Sequence, residues 1–348
     1  MEIGIDSFAA FLPEMDNRSP AGAVQRMENL LAEIETADLV GLDSFGVGEH
    51  HRAEFLDASP AIILAAAAAR TKNIRLNSAV TVLSAADPVR VFQDFATIDL
   101  ITNGRAEIVA GRGSFAEAYP LFGFAREDYD ALFAEKLGLL MQLNEETHVT
   151  WQGRFRPALT GQGVFPRPVQ EKLPIWLGVG GTPGSFSRAG SLGLPLMIAI
   201  IGGSFERFRP LVDLYYAAGA QAGHSREDLK ISIHAIGFVA ETDNAARDAF
   251  YPGWERMFRK IGRERGFPPP SRAQFNALCG PDGAFLVGSP ATVRDKVIAA
   301  DATMGGISRI TFQMSTAALE TEQMQKSITL LGTEVAPAVR GIIRSEPD

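Results

Sequence analysis

The chain has 348 residues, 46% hydrophobic and 21% charged, a balance that suits one large globular domain and excludes a disordered or fibrous chain. Its formal net charge of −8, with basic residues scattered rather than clustered, argues against nucleic acid or an anionic membrane surface as partner. One cysteine, Cys279, allows no intramolecular disulfide; the start MEIGIDSF has no basic leader, and no apolar run nears the roughly 20 residues of a membrane span, so a soluble cytoplasmic protein is expected.

Strand-like and helix-like segments alternate from the first residues. Glu2–Ser7 is expected as a strand, followed by a helix over Ala21–Val40 with apolar residues at Val24, Met27, Leu30, Leu31 and Ile34. Ser44–Gly48 is the second strand. Ser59-Pro60 pairs an N-cap residue with proline at the first helical position and opens an Ala-rich helix to Arg70. Ile74–Leu83 is the third strand, and Asp87-Pro88 starts the next helix in the same way, to about Ile101. After the Asn103-Gly104 turn come a fourth strand, Arg105–Ala110, and a helix over about Arg126–Asn144.

Trp151–Gln170, rich in glycine and proline, breaks the rhythm and is expected to be an irregular excursion or hairpin. Strands resume at Pro174–Gly178, Leu194–Ile201, Leu229–Val239 and Gly306–Met314. Helices are expected from Gly184, over Ser204–Ala218, from Asp243, over Gly288–Ala300 and from Leu319. The stretch Tyr251–Gly288, interrupted by GFPPP at 266–270, shows no assignable period. Eight strands, each followed by a helix, predict a closed (β/α)8 TIM barrel spanning 1–348 as one domain. It carries insertions after the fourth helix and around 251–288. The rival open sheet lacks its fingerprint, because GVGGTPG at 178–184 has Pro183 where the third glycine of a dinucleotide loop should stand.

Three strand exits carry residues suited to chemistry. FGVGEHHR at 45–52 ends an apolar run in Glu49, His50 and His51. These admit a packed histidine, a metal ligand, or an acid/base imidazole oriented by a neighbouring carboxylate. AGRGS at 110–114 flanks Arg112 with glycines, so that backbone and guanidinium can both approach a ligand. LGVGGTPGSFS at 177–187 offers backbone N–H groups at Gly180, Gly181 and Thr182, plus the Thr182 and Ser185 hydroxyls, at a helix start. Such a start favours anions through its unpaired donors and dipole, and Arg112 on the neighbouring strand supplies countercharge for a phosphate. Ala79, within NSAVTV at 77–82, leaves room for a flat ring. His234 is placed facing the barrel interior, and Trp151, Trp176 and Trp254 are assigned to packing.

In this order and spacing, GEHH at 48–51, RTKNIRLNSAVTVLSAADPVRVFQDFATIDLITNGRAEIVAGRGS at 70–114, LPIWLGVGGTPGSFSRAGSLGLPL at 173–196 and FLVGSPATVRDKV at 285–297 resemble the bacterial luciferase-like flavin-dependent monooxygenases over nearly the whole chain. The resemblance implies FMN at the C-terminal mouth of the barrel, in a homodimer. Arg112, Gly180, Gly181, Thr182 and Ser185 would hold the flavin phosphate; Ala79 and Val80 would back the isoalloxazine through a non-proline cis peptide. Glu49 and His50 would stand beside the ring, His50 as acid/base. It further implies that FMN, reduced by NAD(P)H directly or by a separate flavin reductase, works with O2 to oxygenate a small organic substrate, with no metal. Gly111 stands where the luciferases proper carry a reactive cysteine, which speaks against light emission. An F420-dependent oxidoreductase and a non-catalytic flavin-binding protein are the alternatives.

Overall fold

Hydrophobic periodicity and capping residues set most of the elements where the computed structural model has them; it describes residues 1–11, 20–315 and 319–345. The first half runs β1 (Glu2–Ser7), α1 (Pro20–Leu39), β2 (Ser44–Val47), α2 (Pro60–Ala68), β3 (Arg75–Ser78), β4 (Thr81–Val82), α3 (Pro88–Thr102), β5 (Ala106–Gly111), α4 (Ala118–Leu121) and α5 (Tyr129–Glu145). A hairpin of β6 (His148–Trp151) and β7 (Leu159–Gly163) follows. The second half contains β8 (Ile175–Val179), α6 (Pro183–Ser191), β9 (Leu196–Ile200), α7 (Arg209–Gln221), β10 (Ile231–Val239), α8 (Asp243–Arg265), α9 (Arg272–Cys279), β11 (Leu286–Gly288), α10 (Pro290–Met304), β12 (Arg309–Gln313), α11 (Thr321–Leu330) and α12 (Ala336–Ser345).

The parallel ring is closed. Strands β1, β2, β3, β5, β8, β9, β10 and β12 pair in that order, and β12 pairs back to β1. Eight strands in one parallel ring make a TIM barrel. The expected third strand is divided: β3 ends at Ser78, the Ala79–Val80 peptide bond is cis, and β4 resumes against β5. The unassigned stretch after Tyr251 is also ordered. α8 continues through Pro252 to Arg265, α9 follows, and β11 extends β10 by pairing with Gly237–Val239. The glycine-proline excursion is an antiparallel hairpin, anchored to α3 by Arg156 Nε donating to Asp87 Oδ2 at 3.0 Å.

Local chemistry explains the helix ends. Asp87 accepts hydrogen bonds from the Val89 and Arg90 amides and Pro88 presets the first turn of α3, which closes on Asn103 in the left-handed region. Ser289 and Pro290 open α10 similarly, with Gly305 at its end. At α2 only half of the expected signal operates, because Ser59 makes no side-chain capping bond and Pro60 alone sets the start.

Strand alternation sorts the two sides of the ring. Ile3, Ile5, Phe45, Val47, Leu76, Ile108, Leu177, Ile198, Ile233 and Phe312 join the core shared with the helices. The alternate positions fill the interior with Val109, Trp176 and Met197 beside a polar set including Asp6, Asn77, His234 and Thr311. At the floor Arg309, 1% exposed, makes a bidentate pair with Glu107 at 2.6 and 3.0 Å, reaches Glu2 at 2.7 Å, and lies 4.8 Å over the Trp176 ring. Among the described residues no helix is long and apolar enough to cross a membrane.

Removing Arg309 leaves the buried Glu107 carboxylate with only the more exposed Arg75 as countercharge. Arg309→Met should cost about 3–5 kcal/mol in a urea unfolding titration, and Arg309→Met with Glu107→Leu should recover most of it. Equal losses in both variants would show that the pair is not what the floor depends on.

Candidate functional site

The strand ends that carried the candidate residues all open on one mouth. His50 leaves β2 and turns its Nδ1 to Asp57 Oδ2 at 2.9 Å. Asp57 is fully buried, and its second oxygen has no hydrogen-bond partner. Three rings enclose the imidazole: Phe55 at 4.4 Å, Phe8 at 4.6 Å and Phe115 at 5.6 Å between centroids. Gly48 lets them close in, since a Cβ there would lie 2.6 Å from Phe8 and 2.7 Å from Asp57 Oδ2.

The carboxylate that meets His50 is therefore Asp57, and Glu49 has a different task. Glu49 Oε2 accepts the Val82 amide at 2.8 Å and Oε1 meets His51 Nε2 at 3.1 Å. Adjacent residues leaving a strand point to opposite sides, so Glu49 supports the backbone just past the Ala79–Val80 bond while His50 faces the mouth. His51 packs edge-on to Phe122 at 5.0 Å. Asp57 sits seven residues from its partner, in a loop whose conformation no periodicity reveals.

Val80 holds the next sector. Its side chain lies across β5 and β8, where a Cβ at Gly111 or Gly178 would come within 2.5 or 2.6 Å of a Val80 methyl. Position 111 is a glycine because Val80 occupies the space that a side chain there would need.

The third group is an anion cradle. Arg112 Nη2 donates to Ser185 Oγ at 2.9 Å, and its guanidinium lies 4.7 Å over the Tyr129 ring. Tyr119 Oη donates to the Arg112 carbonyl at 3.2 Å. The α6 N-terminus faces this guanidinium, and Thr182 at its cap makes no side-chain capping bond. Gly180, Gly181 and Gly184 are exposed, and a Cβ on any of them would meet nothing within 4 Å. Free backbone donors, two hydroxyls, a fixed guanidinium and open space together suit a phosphate monoester. Arg112 also holds Asp130 at 2.5 Å through Nη1, an exposed carboxylate in an anion's place that motif reading did not single out.

Between the His50 pocket and the tip of α8 lies a cavity of about 390 Å3 lined by Phe8, Phe55, Phe115, Trp254, Met257 and Phe258 among others, with His50 in its wall. Trp254, assigned to packing, is buried against Phe275 and Phe285 and borders this chamber. Arg52 ties the three segments around it, bonding Glu54, Glu117 at 2.5 Å and Glu264 at 2.7 Å. Lys260 also pairs with Glu54, and Arg265 Nη2 donates to the Ser114 carbonyl at 2.8 Å.

Burial pushes the Asp57 carboxyl above the ordinary carboxylate range, with His50 pulling it only part of the way back. The folded chain then keeps this proton at pH values where the unfolded chain has released it, so the group subtracts stability as pH rises from about 4 through its raised value. In urea titrations at about pH 4.5 and 7, Asp57→Asn should gain on the parent protein as pH rises. A pH-independent difference would contradict the burial effect.

The model of the luciferase-like monooxygenase family matches residues 1–306. The 4-hydroxyprotoasukamycin monooxygenase of Streptomyces nodosus subsp. asukaensis is 27% identical, the alignment covering 96% of this chain and 92% of that protein. Two other curated relatives are matched over only 64% and 36% of their own lengths. A monooxygenase from Streptomyces bottropensis superposes with a TM-score of 0.85 at 25% identity, over 97% of this chain and 99% of that one. The oxygenating constituent of 3,6-diketocamphane monooxygenase from Pseudomonas putida, solved with FMN, gives 0.78 at 21% identity over 97% and 98%, a likeness of fold.

Proposed function

Because the chain belongs to the luciferase-like monooxygenases, a flavin-dependent family that takes FMN or F420, we propose that it is an FMN-dependent monooxygenase oxygenating a small organic substrate. The observation that carries this is the coupling of a monophosphate cradle with a buried imidazole–carboxylate pair at one barrel mouth. Arg112, Thr182, Ser185 and the backbone N–H groups of Gly180 and Gly181 would hold the FMN phosphate, in the place that Asp130 takes on Arg112. Ala79 and Val80 would back the isoalloxazine, with Glu49 bracing that segment through the Val82 amide. When bound and reduced, by NAD(P)H directly or by a separate flavin reductase, FMN supplies O2 activation and transfer of one oxygen atom to the substrate.

The residues of the chain supply position and protons. With Asp57 ionised, His50 Nδ1 donates to it, which leaves the Nε2 lone pair to take or return a proton in the chamber. The rings of Phe8, Phe55 and Phe115 keep this imidazole in a low-dielectric setting and exclude water. α8 closes over the chamber, tied down by Arg52, Lys260 and Arg265. The enzyme works as a cytoplasmic homodimer.

An F420-dependent oxidoreductase is the second reading, since the cradle holds one phosphate without regard to the ring beyond it. Titration of the flavin-free protein with FMN and with F420 separates the two. A protein that only stores flavin would have no use for the His50–Asp57 pair.

Loss of the charge-assisted bonds in Arg112→Ala should weaken FMN binding by at least about tenfold, measured by flavin fluorescence quenching. Unchanged affinity would remove the phosphate assignment. His50→Ala should bind FMN normally yet release hydrogen peroxide in place of oxygenated product; coupled turnover in that variant would exclude His50 from proton transfer.

A further inference from the structure

Two helix starts meet at Arg112, and they differ in charge. α6 has no acidic residue in its first turn, and its cap Thr182 makes no side-chain capping bond. The free N–H groups and dipole there are matched only by an anion from outside the helix. α5 carries Asp130 in its first turn, and that carboxylate meets Arg112 Nη1 at 2.5 Å. Asp128, two residues earlier, pairs instead with Arg154 at 3.1 Å. Among the described residues, Asp130 is thus the carboxylate that pairs with Arg112.

The guanidinium does not need Asp130 to keep its place. Ser185 Oγ accepts from Nη2 at 2.9 Å, and the Tyr129 ring lies 4.7 Å away across its face. The Arg112 side chain is 17% exposed and that of Asp130 71%, so the carboxylate covers the guanidinium from the solvent side. A phosphate monoester is close to doubly charged near neutral pH, so one arriving from solvent meets like charge beside Arg112. An ion pair this exposed is weak enough to exchange. Two other roles for Asp130 have different consequences. An acid in a first turn favours its own helix, which concerns stability alone. An acid that orients Arg112 would strengthen the phosphate site, but Ser185 and Tyr129 already supply that orientation.

We propose that Asp130 is a resident anion of the cradle, which a phosphate must replace or stand beside. It holds the affinity for phosphomonoesters below what Arg112 and the α6 start alone would give. That the phosphate belongs to FMN rests on the reading above; the competition requires only that the cradle takes phosphate.

Asp130→Asn and Asp130→Ala in the flavin-free full chain test this, with FMN, riboflavin and inorganic phosphate as probes. Both variants should bind FMN about fivefold or more tightly than the parent protein, measured by flavin fluorescence quenching. Riboflavin, which lacks the phosphate, should bind all three proteins within about twofold of one another. Inorganic phosphate, followed by calorimetry, should tighten in the same direction as FMN. In about 0.5 M NaCl the gain should shrink, because it arises between exposed charges. Parent-like or weaker FMN binding in both variants, an equal gain for riboflavin, or a gain untouched by salt would overturn the proposal, as would no binding of either FMN or phosphate. Failure of the flavin reading alone would look different: no FMN binding to any of the three proteins, with inorganic phosphate still tighter in the variants.

Discussion

Volume inside the ring is the constraint on which the site depends. Parallel strands send every second side chain inward, so neighbouring strands compete for the same space at each level. The competition is resolved by glycine. A Cβ at Gly4 would lie 2.2 Å from Ser44 Oγ, and one at Gly46 would lie 2.1 Å from Asp6 Oδ1. Higher up, Gly111 and Gly178 give way to Val80, and Gly48 gives way to Phe8 and Asp57. At the upper level each absent side chain admits a neighbour that shapes the mouth.

Electrostatics inside the barrel follows the same layering. The floor pairs Arg309 with Glu107 and Glu2 beneath Trp176, so its charges are matched where water is absent. One layer up, His234 Nδ1 meets Asp6 Oδ2 at 2.6 Å, and Thr311 donates to the same oxygen. Phe8 lies above, stacked on His234 at 5.7 Å and close to His50 at 4.6 Å. Two imidazole–carboxylate pairs thus flank one phenyl ring, with His50–Asp57 at the chamber.

The fold was highly legible, and its gaps have physical causes. Capping and proline signals located α3 and α10 because they act within one turn of chain. The division of the third strand at Ala79–Val80 left no mark on an apolar run, since each half keeps β-type residues. The helix expected from Asp243 could not be followed past Tyr251, where the GFPPP turn interrupts the pattern, whereas α8 continues through Pro252 to Arg265 and packs against β11 and β10. In the site, Arg112 and Ser185 were found from glycine spacing and a helix start, and they meet at 2.9 Å. Asp57 and Asp130 were not found, because a lone acid in a loop or in the first turn of a helix has no period that points to its partner.

By itself, the order of residues determined the eight-stranded barrel, the strand exits that bear chemistry and the glycine-rich helix start. These are properties of spacing along a chain whose strands and helices alternate. Only the tertiary structure decided which carboxylate serves His50, what Glu49 braces, and how α8 closes the aromatic chamber. Such contacts join segments distant in sequence, and their geometry depends on which side chain wins each piece of interior volume.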